Sequence, residues 1–219
     1  MTPITILGSG DNTQPLTYGE ISALAGDFYG TSNPISDGKD DTDRHKRFID
    51  ALNTLVDNPK NQPQDAKKLI DYLQKEIDAV QEAVDKGLDP STVYKGKEVV
   101  SNYKLELMTR FRKGFPSYLV LALINWDHFG DDARTAYQTG HLAALNHAAS
   151  DDTSKTNLFE AYSMNAFADH FLQDLFSSGH MRTPRRQLHG GTLYVRDKCA
   201  QVGGDRFLVL QNHVCQEKY

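Results

Sequence analysis

The sequence predicts an all-α protein, a helical bundle with irregular N- and C-terminal segments. Three observations carry this reading. Six stretches place apolar residues at the spacing of one helix face. Strand-like patterning is confined to TLYVRDK and RFLVLQNHV after Pro184, which read as short strands or loop. No internal repeat or low-complexity tract interrupts the chain, and 219 residues suffice for a single domain (1–219) with a substantial core.

The elements follow in order. Residues 1–45 are rich in Gly, Asp, Asn, Thr and Pro and read mainly as loop, with one short helix in YGEISALAGDFYG. Thr17 with Glu20 three residues on has the form of a capping box. In DRHKRFIDALNTLVDN (43–58), Phe48, Leu52, Leu55 and Val56 share a face. QPQDAKKLIDYLQKEIDAVQEAVDKG (62–87) carries the stripe Leu69, Ile70, Leu73, Ile77, Val80 and Val84, with Gly87 as its stop. STVYKGKEVVSNYKLELMTRFRK (91–113) predicts a third helix of this kind. PSYLVLALINWDHFG (116–130) is apolar nearly all round, which predicts a buried core helix with Pro116 at its first position. DDARTAYQTGHLAALNHAAS (131–150) and SKTNLFEAYSMNAFADHFLQDLFSS (154–178) complete the set.

Composition narrows the function classes. Apolar content of 39% and charged content of 24% read as soluble and globular, and the net charge of −5 argues against a surface that coats nucleic acid. No apolar run approaches the ~20 residues of a membrane span. The start, MTPITILGSGDNTQPL, lacks a basic region followed by an apolar stretch, so no signal peptide is expected and the location reads as cytoplasmic or non-classically exported. Cys199 and Cys215 are the only cysteines, and free thiols are the simpler reading.

The chemistry concentrates in HFLQDLFSSGH. His170 and Asp174 lie four apart on a helix and face one point, and His180 follows behind a Ser-Ser-Gly break. Zinc accepts imidazole nitrogen and carboxylate oxygen at about 2.0–2.2 Å. The competing reading is a capped helix end whose dipole favours a cation. His128 in NWDHF is a second candidate ligand, set against a core histidine bonded to backbone. Asp27 in AGDFYG is a third, set against a turn former.

Together GDFYG, NWDHF, AYQTGH and HFLQDLFSSGH resemble the zinc-dependent phospholipase C superfamily, which also holds the single-strand-specific zinc nucleases. The chain is most similar to its soluble bacterial and fungal phosphatidylcholine-hydrolysing group, over roughly 16–30 and 116–186. Residues 46–115 then stand as a helical insertion, and 187–219 as an atypical C-terminal segment. The resemblance implies a multinuclear zinc site between helices, with two or three Zn²⁺ expected. Asp27, His128, His170 and Asp174 would ligate one zinc, and Asp174 would bridge to a neighbour held by His180. Candidates for the remaining ligands are His45, His189, His213 and Glu217. His189 lacks the following carboxylate, whereas His213 and Glu217 have His-x3-Glu spacing.

The implied activity is hydrolysis of phosphatidylcholine-like lipids to diacylglycerol and a phosphorylated headgroup. Divalent ions would clamp phosphoryl oxygens and lower the pKa of a bound water towards ~7. Asp27 is also the candidate catalytic carboxylate that orients water. His141, Asp127 and Asp169 are candidate positioning residues behind the ligands. Phe28, Tyr29 and Trp126 could form an aromatic wall for a choline headgroup, against plain core packing, which is favoured for Trp126. Arg182, Arg185 and Arg186 could meet a phosphate or an anionic membrane surface, against a solvated basic turn. A phospholipid or a membrane surface is thus the expected partner, with no nucleic acid and no obligate protein partner. The alternatives are a nuclease or nucleotidase on the same scaffold, or a non-catalytic member keeping one structural zinc.

Overall fold

The computed structural model describes residues 4–5, 15–56, 65–95, 99–150 and 152–190. Within these the chain is mostly helical, as the sequence predicts. A two-residue ribbon, β1 (Ile4–Thr5) against β2 (Pro15–Leu16), pairs antiparallel with Ile4 opposite Leu16. The segments TLYVRDK and RFLVLQNHV, Cys199, Cys215, His213 and Glu217 lie outside the described residues.

Helix α1 (Tyr18–Leu24) starts at the expected capping box. Thr17 Oγ1 accepts from the Glu20 amide at 3.2 Å, and Glu20 accepts from the Thr17 amide at 2.7 Å. A 3-10 turn, Ile35–Asp37, leads to α2 (Asp41–Val56), which buries Phe48, Ala51, Leu52 and Leu55. Helix α3 (Asp65–Asp85) buries Leu69 and Tyr72, but Ile77 and Val84 are exposed. Its apolar stripe therefore outruns the core. Gly87, at φ +68°, ends it as expected.

The predicted helix over 91–113 is two pieces. A 3-10 turn, Pro90–Tyr94, is capped by Asp89, and α4 (Asn102–Thr109) is capped by Ser101. Ser101 restarts the chain as a helix cap because its side chain accepts from the Lys104 amide. The predicted core helix over 116–130 is also broken. Helix α5 spans only Tyr118–Leu123, with Pro116 before its cap Ser117. The chain leaves the helix at Ile124, makes a 3-10 turn at Trp126–His128 and reverses through Gly130 at φ +52°. Leu119, Val120 and Leu123 are exposed and only Leu121 of this helix is buried. Arg185 secures the early stop, bonding the carbonyls of Ala122 and Leu123 at 3.0 and 3.1 Å.

Helices α6 (Gly130–Ala148) and α7 (Lys155–Asp174) pack as a hairpin at the centre, with α1 against α7 and α2 against α6. Gly140 makes the close crossing. A Cβ there would lie 2.3 Å from Phe48 and 2.7 Å from Ala168. Phe48 and Phe167, both fully buried, meet edge to face at 5.9 Å, an arrangement worth about 0.5–1.5 kcal/mol beyond its buried area. Two short helices, α8 (Ser178–Met181) and α9 (Arg185–Gly190), close the described chain.

A buried ion pair ties α3 to the turn after α1. Asp65 accepts from the Tyr29 hydroxyl at 2.7 Å and pairs with Arg112 at 2.6 Å. The Arg112 guanidinium lies over the rings of Tyr29 and Phe115 and donates to the Phe28 carbonyl. This clamp holds the segment that carries Asp27.

Candidate metal centre

Helix α7 supplies His170 and Asp174 one turn apart on its last turns, and the 3-10 turn Trp126–His128 supplies His128. The turn after α1 supplies Asp27, and the short α8 supplies His180. His128 and His170 are buried, whereas Asp27, Asp174 and His180 are part-exposed. Asp27, His128 and His170 bring ligand atoms within 4.8 Å of one another.

The same two histidines also meet Asp174. His128 Nδ1 lies 2.7 Å from Asp174 Oδ2 and 3.1 Å from His170 Nε2, and His170 Nε2 lies 3.5 Å from that oxygen. Ligand atoms around a tetrahedral zinc at 2.0–2.2 Å are separated by about 3.3–3.6 Å. One of the three separations lies in that range and the other two are shorter, at hydrogen-bond distance, so this donor set would have to open by up to about 0.6 Å to hold a zinc-sized ion. His180 Nδ1 bonds the other carboxylate oxygen, Asp174 Oδ1, at 2.9 Å. Asp174 thus joins the two histidine groups, as a bridging carboxylate would.

Two features orient these side chains, and neither is visible in the spacing of the candidate residues. The Ser22 carbonyl accepts from His170 Nδ1 at 2.9 Å. That bond places the ring proton on Nδ1 and leaves Nε2 bare for a metal. Gly26 has φ +67°, and a Cβ on it would lie 2.8 and 2.9 Å from His128 ring atoms and 3.0 Å from His170. Gly26 therefore permits both the turn and the close approach of the rings. Its visible signal was its place directly before Asp27.

Electrostatics divides the two buried rings. Burial disfavours the His128 imidazolium, but the bond to Asp174 and the charges of Asp27, Asp174 and Asp127 outweigh it and raise its pKa above the usual 6.5. Burial and the neighbouring His128 charge push His170 down. Asp174 is opposed by burial, yet its bonds to His128 and His180 hold its carboxyl well below the usual range. His128 and Asp174 thus favour a charge-assisted hydrogen bond, beside a His170 held towards its neutral form.

Several candidates sit elsewhere. Asp127 accepts from the Ile35 and Ser36 amides at 2.5 and 3.0 Å and from the Ser36 hydroxyl, so it anchors the 35–37 turn rather than bonding a ligand histidine. Burial raises its pKa. His141 bonds Asn165 at 2.7 Å and stacks on Tyr137. Asp169 accepts from Tyr18, whose phenol is pushed up to about 12 by burial and that carboxylate. Both residues serve the α1–α6–α7 contact. Phe28 and Tyr29 are core residues: Phe28 stacks on Tyr118, and Tyr29 is fully buried with its hydroxyl on Asp65. They form no exposed wall. Trp126 lies against Arg186 and His189.

Of the arginines, Arg185 is spent on Asn125 and the α5 carbonyls, and Arg186 on Asp132, Asp37 and Ser36. Arg182 is exposed and lines a cavity of about 520 Å³ together with Phe129, whose ring lies 4.5 Å from that of His180. His45 is exposed near the start of α2, and His189 is exposed on α9. Among the described residues, neither belongs to the Asp27–His128–His170 group.

Compared with known proteins, the chain matches no family model, no curated protein and no solved structure.

Proposed function

We propose that the chain is a zinc-dependent phosphodiesterase that cleaves phospholipids to diacylglycerol and a phosphorylated headgroup. The observation that carries this reading is the convergence of His128, His170 and Asp174 at 2.7–3.5 Å, with Asp27 alongside and His180 on the second oxygen of Asp174. Zinc held by these residues would polarise a phosphoryl oxygen and lower the pKa of water towards ~7. Ser22 fixes the His170 tautomer, and Gly26 lets both rings approach. Asp27, half-buried rather than sealed, would orient a water and take its proton. Arg182, in the cavity next to His180, would meet a substrate phosphate. With Phe28 and Tyr29 committed to the core, aromatic capture of choline by them is not part of the proposal.

One observation favours a second reading. Among the described residues the candidate ligands share one pair of histidines, His128 and His170, whether Asp27 or Asp174 is counted with them, and one such centre suits a single structural zinc. Elemental analysis separates the two. The phosphodiesterase reading expects two or three zinc per chain and release of phosphocholine from a short-chain lecithin, abolished by Asp174→Asn. One zinc per chain with no release would establish the structural reading instead.

A further inference from the structure

Helices α4 and α5 expose what a core would normally take. On α4 and its end, Tyr103, Leu107 and Phe111 recur every fourth residue and are 74, 40 and 79% exposed. That spacing sets Tyr103 and Leu107 on one helix face, and Phe111 follows in the turn beyond its end. On α5, Leu119, Val120 and Leu123 are 44, 45 and 42% exposed. The two helices are packed together. The Leu119 amide donates to Glu106 at 3.0 Å, the Tyr118 amide to Thr109 at 2.9 Å, and the Tyr118 hydroxyl to Asn102 at 2.9 Å. Their six apolar side chains are thus held on one structural unit.

Basic side chains outnumber acidic ones along this segment. Lys104, Arg110 and Lys113 are exposed. The one acidic residue between 102 and 123 is Glu106, which is half-buried and capped by the Leu119 amide. A basic surface of this kind stands out in a chain with 29 acidic residues and a net charge of −5. The Arg110 guanidinium lies over the Phe111 ring at 5.4 Å, so an exposed aromatic and a cation share one spot. No described helix is long and apolar enough to cross a membrane.

The unit also adjoins the metal centre. Tyr118 stacks on Phe28, the neighbour of Asp27, at 5.4 Å, while the next two residues face outward.

We propose that the exposed face of α4 and α5 docks on an anionic phospholipid bilayer. This rests on the phospholipase reading for its purpose, but the docking itself needs no metal. Aromatic and aliphatic side chains enter the interfacial region, and Arg110 and Lys113 meet the lipid phosphates.

The test is sedimentation of the full chain, stripped of metal with EDTA, on vesicles of 70:30 phosphatidylcholine to phosphatidylserine. Binding is expected, with weaker binding to pure phosphatidylcholine. Phe111→Asp with Leu119→Asp, and separately Arg110→Glu with Lys113→Glu, should each weaken it roughly tenfold or more. Both pairs should leave the melting temperature within about 5 °C of the parent. Absent binding, equal binding to neutral vesicles, or binding untouched by the substitutions would overturn the proposal. A larger fall in melting temperature would also overturn it, by showing the face covered within the chain. So would loss of a self-association, by showing it covered by a second copy. Zinc content measured on the same variants keeps this outcome separate from the fate of the phosphodiesterase reading.

Discussion

Gly26→Ala is the sharpest single perturbation of the centre. An alanine at φ +67° costs about 1–2 kcal/mol in backbone strain alone. Its Cβ would also meet His128 at 2.8 and 2.9 Å and His170 at 3.0 Å, where ordinary contact begins at 3.4 Å. One or both rings must move by about 0.5 Å, the tolerance of a working ligand set. Overpacking of this kind adds about 1–3 kcal/mol. Gly87→Ala is the matched control, because Gly87 has φ +68° and nothing within 4 Å of its added Cβ. Both substitutions restrict the unfolded chain equally, so that contribution cancels. Denaturant unfolding should show Gly26→Ala less stable than Gly87→Ala by about 1–3 kcal/mol. Zinc titration should show at least a tenfold loss of affinity in the first and none in the second. Equal stability and equal zinc affinity in the two variants would refute the placement of Gly26 against the ligand rings.

Other expectations follow from the same geometry. The raised pKa of His128 sets a sign for pH dependence. Its bond to Asp174 stabilises the metal-free protein fully below about 6.5, and this is lost as pH rises through its folded pKa. Asp174 is ionised in both states over this range, whereas the lowered His170 adds an opposing rise that ends about a unit above 6.5, once the unfolded imidazole is deprotonated. The melting temperature of the metal-free chain should therefore receive a falling contribution from His128 above pH 6.5. Zinc must displace that proton, so zinc affinity should rise over the same interval; a flat affinity between pH 6 and 8 would contradict the assignment. Asp65→Ala leaves Arg112 buried without its carboxylate and should cost about 3–5 kcal/mol by chemical denaturation. Arg182→Ala should raise KM for a short-chain lecithin several-fold with zinc content unchanged, read by steady-state kinetics and elemental analysis.

What was legible in the sequence was local. Thr17 and Glu20 close a capping box because that motif needs only three residues' spacing. His170 and Asp174 share a face for the same reason. Element boundaries failed where the decisive partner was remote. Apolarity all round predicted burial for 116–130, but that stretch breaks at Ile124, and Arg185, about sixty residues on, holds the freed carbonyls. Three of its apolar residues remain outside the core. Asp127 sits beside His128 in sequence, yet a 3-10 turn aims its carboxylate at Ile35 and Ser36. Tyr29 neighbours Asp27 but is claimed by Asp65, a partner 36 residues away. The Ser22 carbonyl carries no side-chain signature at all, so its hold on His170 was visible only in three dimensions.

The central claim is that His128, His170 and Asp174, with Asp27, hold zinc. Its most direct test is the zinc content of the purified full chain beside that of His170→Ala, each reloaded and exhaustively dialysed. At least one tightly held zinc per chain, lost in His170→Ala while the variant remains folded, is the predicted result. A parent chain without zinc, or a His170→Ala chain that keeps its full complement, would contradict it.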